Sequence, residues 1–240
     1  MSQKSSLVAL LDYSRTVEAE FLRELTDPEV EATGAPDQWT AKDLVAHVTT
    51  WRERGTEDLL AVRAGVAPPE LREFDGVNRE IYFENRDQTW EALRGRGQVA
   101  WQALASAIAE FAEDVLTTAH AELTQTSPVW RRITVEAGSH PVLHLSEYAM
   151  HHGRGDSARR WMEALTPHLL SVDSSPEWHG VVHYNLACHF ALSGQSEAAL
   201  ESLVKSLDLN PSLRKWSTQD PDLASLHQDP HFAELTAVRE

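Results

Sequence analysis

Residues 144–162, HLSEYAMHHGRGDSARRWM, hold the densest set of potential metal ligands and proton carriers in this 240-residue chain. If the segment is helical, His144, Glu147 and His151 stand at i, i+3 and i+7 and share one face. The same face continues into Ala158, Met162 and Leu165, so the stripe is polar at one end and apolar at the other. The apolar end must face a core, and that draws the polar end inward with it. Burying a carboxylate and two imidazoles without partners costs ~1–3 kcal/mol for each group, and a divalent metal is one way to offset that. His47 supplies a third donor from a separate helix, between Leu44 and Trp51 on its apolar side. Two neutral imidazoles and a carboxylate suit Zn²⁺, Ni²⁺ or Fe²⁺ and leave positions for water or substrate. The spacing alone also describes a Glu147–His151 pair on a solvated face and a His47 that is simply packed and hydrogen-bonded. His140 precedes Pro141 and reads as preceding or capping the helix, and His152 projects away from the stripe. Arg154 is placed to steady an anionic group near the site.

The elements that must carry these residues are all helical, and the fold class expected is all-α. Residues 3–26 place Leu7, Leu10, Leu11, Val17, Phe21, Leu22 and Leu25 at helical spacing. A second helix starts at Thr40, where Thr-Ala-Lys-Asp has the form of a capping box with Asp43 in the place of Glu, and ends near Gly65. Residues 70–86 form a crossover that can hold a short helix. A third helix is expected from Thr89 to His120, weakened by Gly95 and Gly97, then a loop over 124–139. A fourth starts near Pro141, a good first-turn residue, and runs to Leu165. Four long amphipathic segments without strand alternation argue a four-helix bundle over residues 1–165.

Thr166-Pro167 and the polar stretch 171–178 read as a break and a linker, with a second region over 176–240. There, residues 178–211 place Leu186, Ala187 and Phe190 before Ser193-Gly194 and Ala199, Leu203 and Leu207 after it, with Pro211 closing the unit. That looks like one tetratricopeptide (TPR) repeat, followed by a shortened segment. Such arrays normally need ~3 units to stand alone, so this tail is expected to pack on the bundle or on another chain, and a protein or peptide partner is a role open to it. Cys188 reads as a small buried hydrophobe rather than a reactive thiol.

The net charge of −16 would repel phosphate backbones, so neither nucleic acid nor anionic membrane is an expected partner. A single cysteine allows no intramolecular disulfide, and no stretch approaches the ~20 apolar residues of a membrane span. The N-terminal segment lacks the apolar core and cleavage site of a signal peptide, and a cytoplasmic location is expected.

Two pieces, TAKDLVAHVTTW (40–51) and SEYAMHHGRGDSARR (146–160), resemble the signatures of the DinB/YfiT-like metalloenzyme superfamily. The pattern Glu-Tyr-Ala-x-His-x-Gly-x-x-Asp is present as Glu147, Tyr148, Ala149, His151, Gly153 and Asp156. The resemblance implies a four-helix bundle with a divalent metal held by a histidine of the second helix and two ligands of the last. Carried over by position, His47 and His151 are ligands. Mycothiol-dependent branches use Glu-x-x-x-His, which selects Glu147 as the third and leaves His144 beside the site; other members use His-x-x-x-His. The implied function is a metal-dependent enzyme acting on a small electrophile or thiol adduct, with a low-molecular-weight thiol as a further cofactor and a homodimer as a family habit. Residues 76–93 resemble a second branch, the colibactin self-protection proteins. For that branch Trp51, Asn78 and Tyr82 would line a pocket containing His47, without dependence on metal. A bundle without activity, docking a partner through the tail, is the third reading.

Overall fold

The computed structural model describes residues 2–36, 38–68, 74–117 and 128–237, and these are all-α. Among them there is no strand; Ala35 and Gln38 form an isolated bridge. No described helix is long and apolar enough to cross a membrane. The chain divides into two compact units, Met1–Tyr148 and Ala149–Glu240.

In the first unit, α1 (Gln3–Glu24) buries Leu7, Leu10, Val17 and Phe21, the expected stripe. A short α2 (Asp27–Glu31) follows. Helix α3 (Ala41–Ala64) begins with the capping box read from the sequence: Thr40 N–H donates to Asp43 Oδ2 at 2.9 Å, and Thr40 Oγ1 donates to it at 2.7 Å. Gly65, at φ +69°, ends the helix in the left-handed region. The crossover contains α4 (Phe74–Asn85), whose Val77 and Ile81 pack on Trp51 of α3. Helix α5 (Trp90–Glu110) lies along α3. It stops at Phe111, before a short α6 (Glu113–Thr117), so the expected single helix through His120 is broken; residues 118–120 lie outside the described residues.

A buried ion pair ties α1, α3 and α5 together. Arg52 is fully buried and donates to Glu18 Oε2, which also accepts from Trp101 Nε1 at 3.0 Å. The guanidinium stacks 3.7 Å over the Trp101 ring. Removing one partner would leave the other charge buried and uncompensated, so the pair fixes which faces meet.

The expected loop over 124–139 is helical where it is described. Helix α7 (Val129–Ile133) runs through a π-helical turn, Thr134–Ser139, into α8 (His140–His151). The reason is local. Pro141 has no N–H, and in a regular α-helix its ring would meet the carbonyl four residues back; the wider π turn lets the chain continue. The His140 N–H accordingly donates to Val135 O, five residues back. Pro141 is therefore inside a helix that starts twelve residues earlier than its sequence position suggests.

The second unit holds α9 (Gly155–Val172), separated from α8 by Gly153 at φ +75°. The expected continuous helix to Leu165 is thus two helices, and Pro167 lies inside the second instead of ending it. Helix α10 (Pro176–Leu192) starts only four residues after α9, so the expected linker over 171–178 is mostly helical. A turn with Gly194 at φ +74° leads to α11 (Ser196–Leu209). The two form a helical hairpin with Ala187, Ala199 and Leu203 at its centre, all fully buried. Leu223, Leu226 and Phe232, from the short helical segments that follow, close its core.

Candidate metal centre

Helix α3 and the α7–α8 helix bring three histidines together. The His47 and His140 Nε2 atoms are 3.0 Å apart. The His144 ring stands near-perpendicular to both, its centroid 5.0 Å from that of His47 and 4.5 Å from that of His140. One ligating nitrogen from each of the three lies within 4.8 Å of the others. His140 and His144 are one helical turn apart, which is what places two imidazoles on one face toward α3.

The site is enclosed at one side and open at the other. His47 is 1% exposed, whereas the His144 side chain is 33% exposed. Trp39 packs against the His47 ring at 4.6 Å, and Trp51 against the His140 ring at 6.0 Å. Trp51 Nε1 donates to Asn78 Oδ1 at 3.3 Å, which fixes the indole under the cluster. Burial, and then the neighbouring imidazoles, push His47 down to about 2 and His140 to about 3. For His140 the Glu136 carbonyl works in the opposite direction. Both rings are therefore neutral at pH 7, the form that ligates metal.

These residues fit a divalent metal. Two neutral imidazoles that face each other Nε2 to Nε2 can share only one proton between them, which leaves lone-pair density between the rings for an ion. Nitrogens each ~2.0–2.1 Å from one ion stand roughly 2.9–3.4 Å apart, and the observed 3.0 Å lies in that range. Three imidazole nitrogen donors suit Zn²⁺, Ni²⁺, Cu²⁺ or Fe²⁺ over Mg²⁺ or Ca²⁺.

Of the residues expected from sequence, His47 is in this cluster and His144, expected beside the site, is a member of it. Glu147 Oε2 meets His144 Nδ1 at 3.1 Å, on the ring nitrogen away from Nε2. His151 and His152 are exposed at the end of α8, and Arg154 follows them, its N–H donating to Ala149 O at 2.8 Å. Tyr82 donates to the Gly34 carbonyl at 2.7 Å, a structural tie between α4 and the loop before α3. Sequence reasoning missed His140. The signal was present as His140-x-x-x-His144, but reading Pro141 as a helix start put His140 outside the helix.

One turn before His140 on the same helix, Glu136 shares Arg132 with Asp58 of α3: Arg132 Nε lies 3.0 Å from Glu136 Oε1 and Nη2 lies 2.7 Å from Asp58 Oδ2. Burial raises Glu136 to about 7 and Asp58 to about 6, against the pull of Arg132. Where the α7–α8 helix meets α3, the imidazoles and these carboxylates therefore stand about one helical turn apart. Comparison with known proteins finds no matching family model, curated protein or solved structure.

Proposed function

We propose that the first unit is a four-helix metalloenzyme of the DinB-like kind, with His47, His140 and His144 as ligands. The observation that carries this reading is the meeting of three imidazoles, two of them kept neutral by burial, with His47 and His140 facing Nε2 to Nε2. The set matches the His-x-x-x-His alternative of the resemblance, a histidine of the second long helix plus two spaced by four on the last. A divalent ion bound there supplies Lewis acidity, which polarises a carbonyl or lowers the pKa of a bound thiol or water. Around it, the residues of this chain do the positioning. Trp39 packs on the His47 ring and Trp51 on the His140 ring, and Asn78 holds the Trp51 indole. The partial exposure of His144 marks the side from which a small electrophile or thiol adduct reaches the centre. The reading extends to the second unit as one TPR-like hairpin, supported by small residues, Ala187 and Ala199, fully buried between α10 and α11.

The test is metal content and zinc affinity of untagged protein, wild type beside His140→Ala. The expected result is about one equivalent of Zn, Ni or Fe in the wild type and an affinity lower by on the order of 100-fold or more in the variant. A wild type that takes up no metal after reconstitution overturns the reading.

A further inference from the structure

Glu147 has the residue type of a ligand, but the structure puts its carboxylate on a different atom. Its Oε2 lies 3.1 Å from His144 Nδ1, one helical turn away at i, i+3. The two nitrogens of an imidazole point away from each other, so a carboxylate on Nδ1 sits on the far side of the ring from anything bound at Nε2. A neutral imidazole carries one proton, and a carboxylate accepts it. Nδ1 is then N–H and Nε2 is left with its lone pair, the arrangement a metal needs.

The need for such a partner differs among the three histidines. His47 is held by burial and by Trp39, and His140 is packed between Trp51 and the other two rings. His144 is the exposed member of the set, with a third of its side chain in solvent. Packing constrains it least, so a hydrogen bond has most to add in fixing both its rotamer and its tautomer.

We propose that Glu147 is the positioning carboxylate of the metal centre: it holds the Nδ1 proton of His144 and thereby presents His144 Nε2 beside His47 and His140. This rests on the three-histidine reading and replaces the sequence expectation that Glu147 ligates. It also gives the Glu147 of the sequence motif a role one residue removed from the ion.

The experiment uses the full chain with ¹⁵N-labelled histidine, in wild type, Glu147→Ala, Glu147→Gln and His140→Ala. Zinc affinity is measured by competition with a chromophoric chelator. Glu147→Ala is expected to bind zinc 10–100-fold more weakly than wild type. Glu147→Gln, whose amide oxygen still accepts from Nδ1–H, is expected to stay within a few-fold of it. Cobalt-substituted Glu147→Ala keeps the wild-type visible band pattern, because the ligand set is unchanged, while His140→Ala alters it. In metal-free wild type the ring resonances of His144 show the Nδ1–H tautomer, and in Glu147→Ala they move toward a tautomer mixture. Unchanged zinc affinity in Glu147→Ala overturns the proposal, as does a cobalt spectrum altered as in a ligand variant. Failure of the metal reading looks different: the wild type binds no zinc while His144 still shows the Nδ1–H tautomer, and the proposal falls with it.

Discussion

Among the described residues, two places bring three potential metal ligands within 4.8 Å of one another, and they are chemically unlike. In the first unit the group is His47, His140 and His144; in the second it is Cys188, Asp220 and Asp222. His47 and His140 are held neutral by burial, and they face each other with ring nitrogens that cannot all be satisfied. The second group has its hydrogen bonds assigned. Asp220 Oδ2 accepts from Tyr184 Oη at 2.8 Å, and Asp220 Oδ1 accepts from the Asp222 N–H at 3.0 Å, as the cap of the turn Pro221–Leu226. Burial and the two aspartates push the Cys188 thiol well above its usual range, so it stays protonated and lies 3.9 Å from the same Asp220 oxygen. A thiolate is the ligand form of cysteine. Proximity of ligand atoms is therefore not what distinguishes a site. Proton state and unassigned lone pairs are, and on both counts only the histidines qualify.

The sharpest break of this contrast is a pair of substitutions read by one assay. His140→Ala should lower zinc affinity by on the order of 100-fold or more, whereas Cys188→Ala should leave zinc affinity and stoichiometry at the wild-type value. Zinc loss on altering Cys188 would reverse the assignment of the two clusters.

Much of this was readable in advance, and the failures have physical causes. The α3 boundaries followed from a capping box and a left-handed glycine, both local signals that tertiary structure had no reason to override. His47 was readable from its place between two apolar neighbours, and Cys188 from the apolar pattern around it. The last helix was misread because Pro141 is a good first-turn residue in general, and only a π turn lets it lie within a helix. That one misreading removed His140 from consideration and shifted the expected stripe toward Glu147 and His151. Gly153, at φ +75°, then ends α8 before Ala158, so His151 and Ala158 do not lie on one continuous helix.

The second prediction concerns acid, and it sets the histidines against Asp58 of α3 and Glu136 of the π turn. His47 and His140 are depressed in the fold to about 2 and about 3, from 6.5. The unfolded chain takes up their protons first, so they contribute stability that is present above pH 6.5 and is lost as pH falls toward 3. Asp58 and Glu136 are raised to about 6 and about 7, from 3.8 and 4.5. They contribute stability that is present below about pH 4 and is lost as pH rises through 6 to 7. Between pH 4 and 6.5 the two pairs oppose each other. Urea melts of metal-free protein across that window should show it: in His47→Gln the fall in stability on acidification should shrink by about one proton, roughly 1.4 kcal/mol per pH unit. An unchanged slope would mean that His47 is not held neutral.

A smaller effect is expected from the hydrogen bonds that close the second cluster. Tyr184→Phe removes the hydroxyl from the buried Asp220 and should cost about 1–3 kcal/mol in a urea melt, the usual cost of leaving a buried acceptor short of a donor. No loss would mean that Asp220 is satisfied without the tyrosine.

The smallest expected effect is at Cys188 itself. A serine there is close in size, and its hydroxyl can turn toward the same Asp220 oxygen that the thiol approaches. The hydroxyl is a better donor than the thiol but is costlier to bury, so the two changes offset. Cys188→Ser should therefore alter stability by less than about 1 kcal/mol. In the wild type the burial and protonation of the thiol predict that a disulfide reagent titrates it far more slowly in native protein than in urea, where one thiol per chain should react at once. Fast native reaction would show a thiolate at hand, and with it a second cluster ready to hold a soft metal.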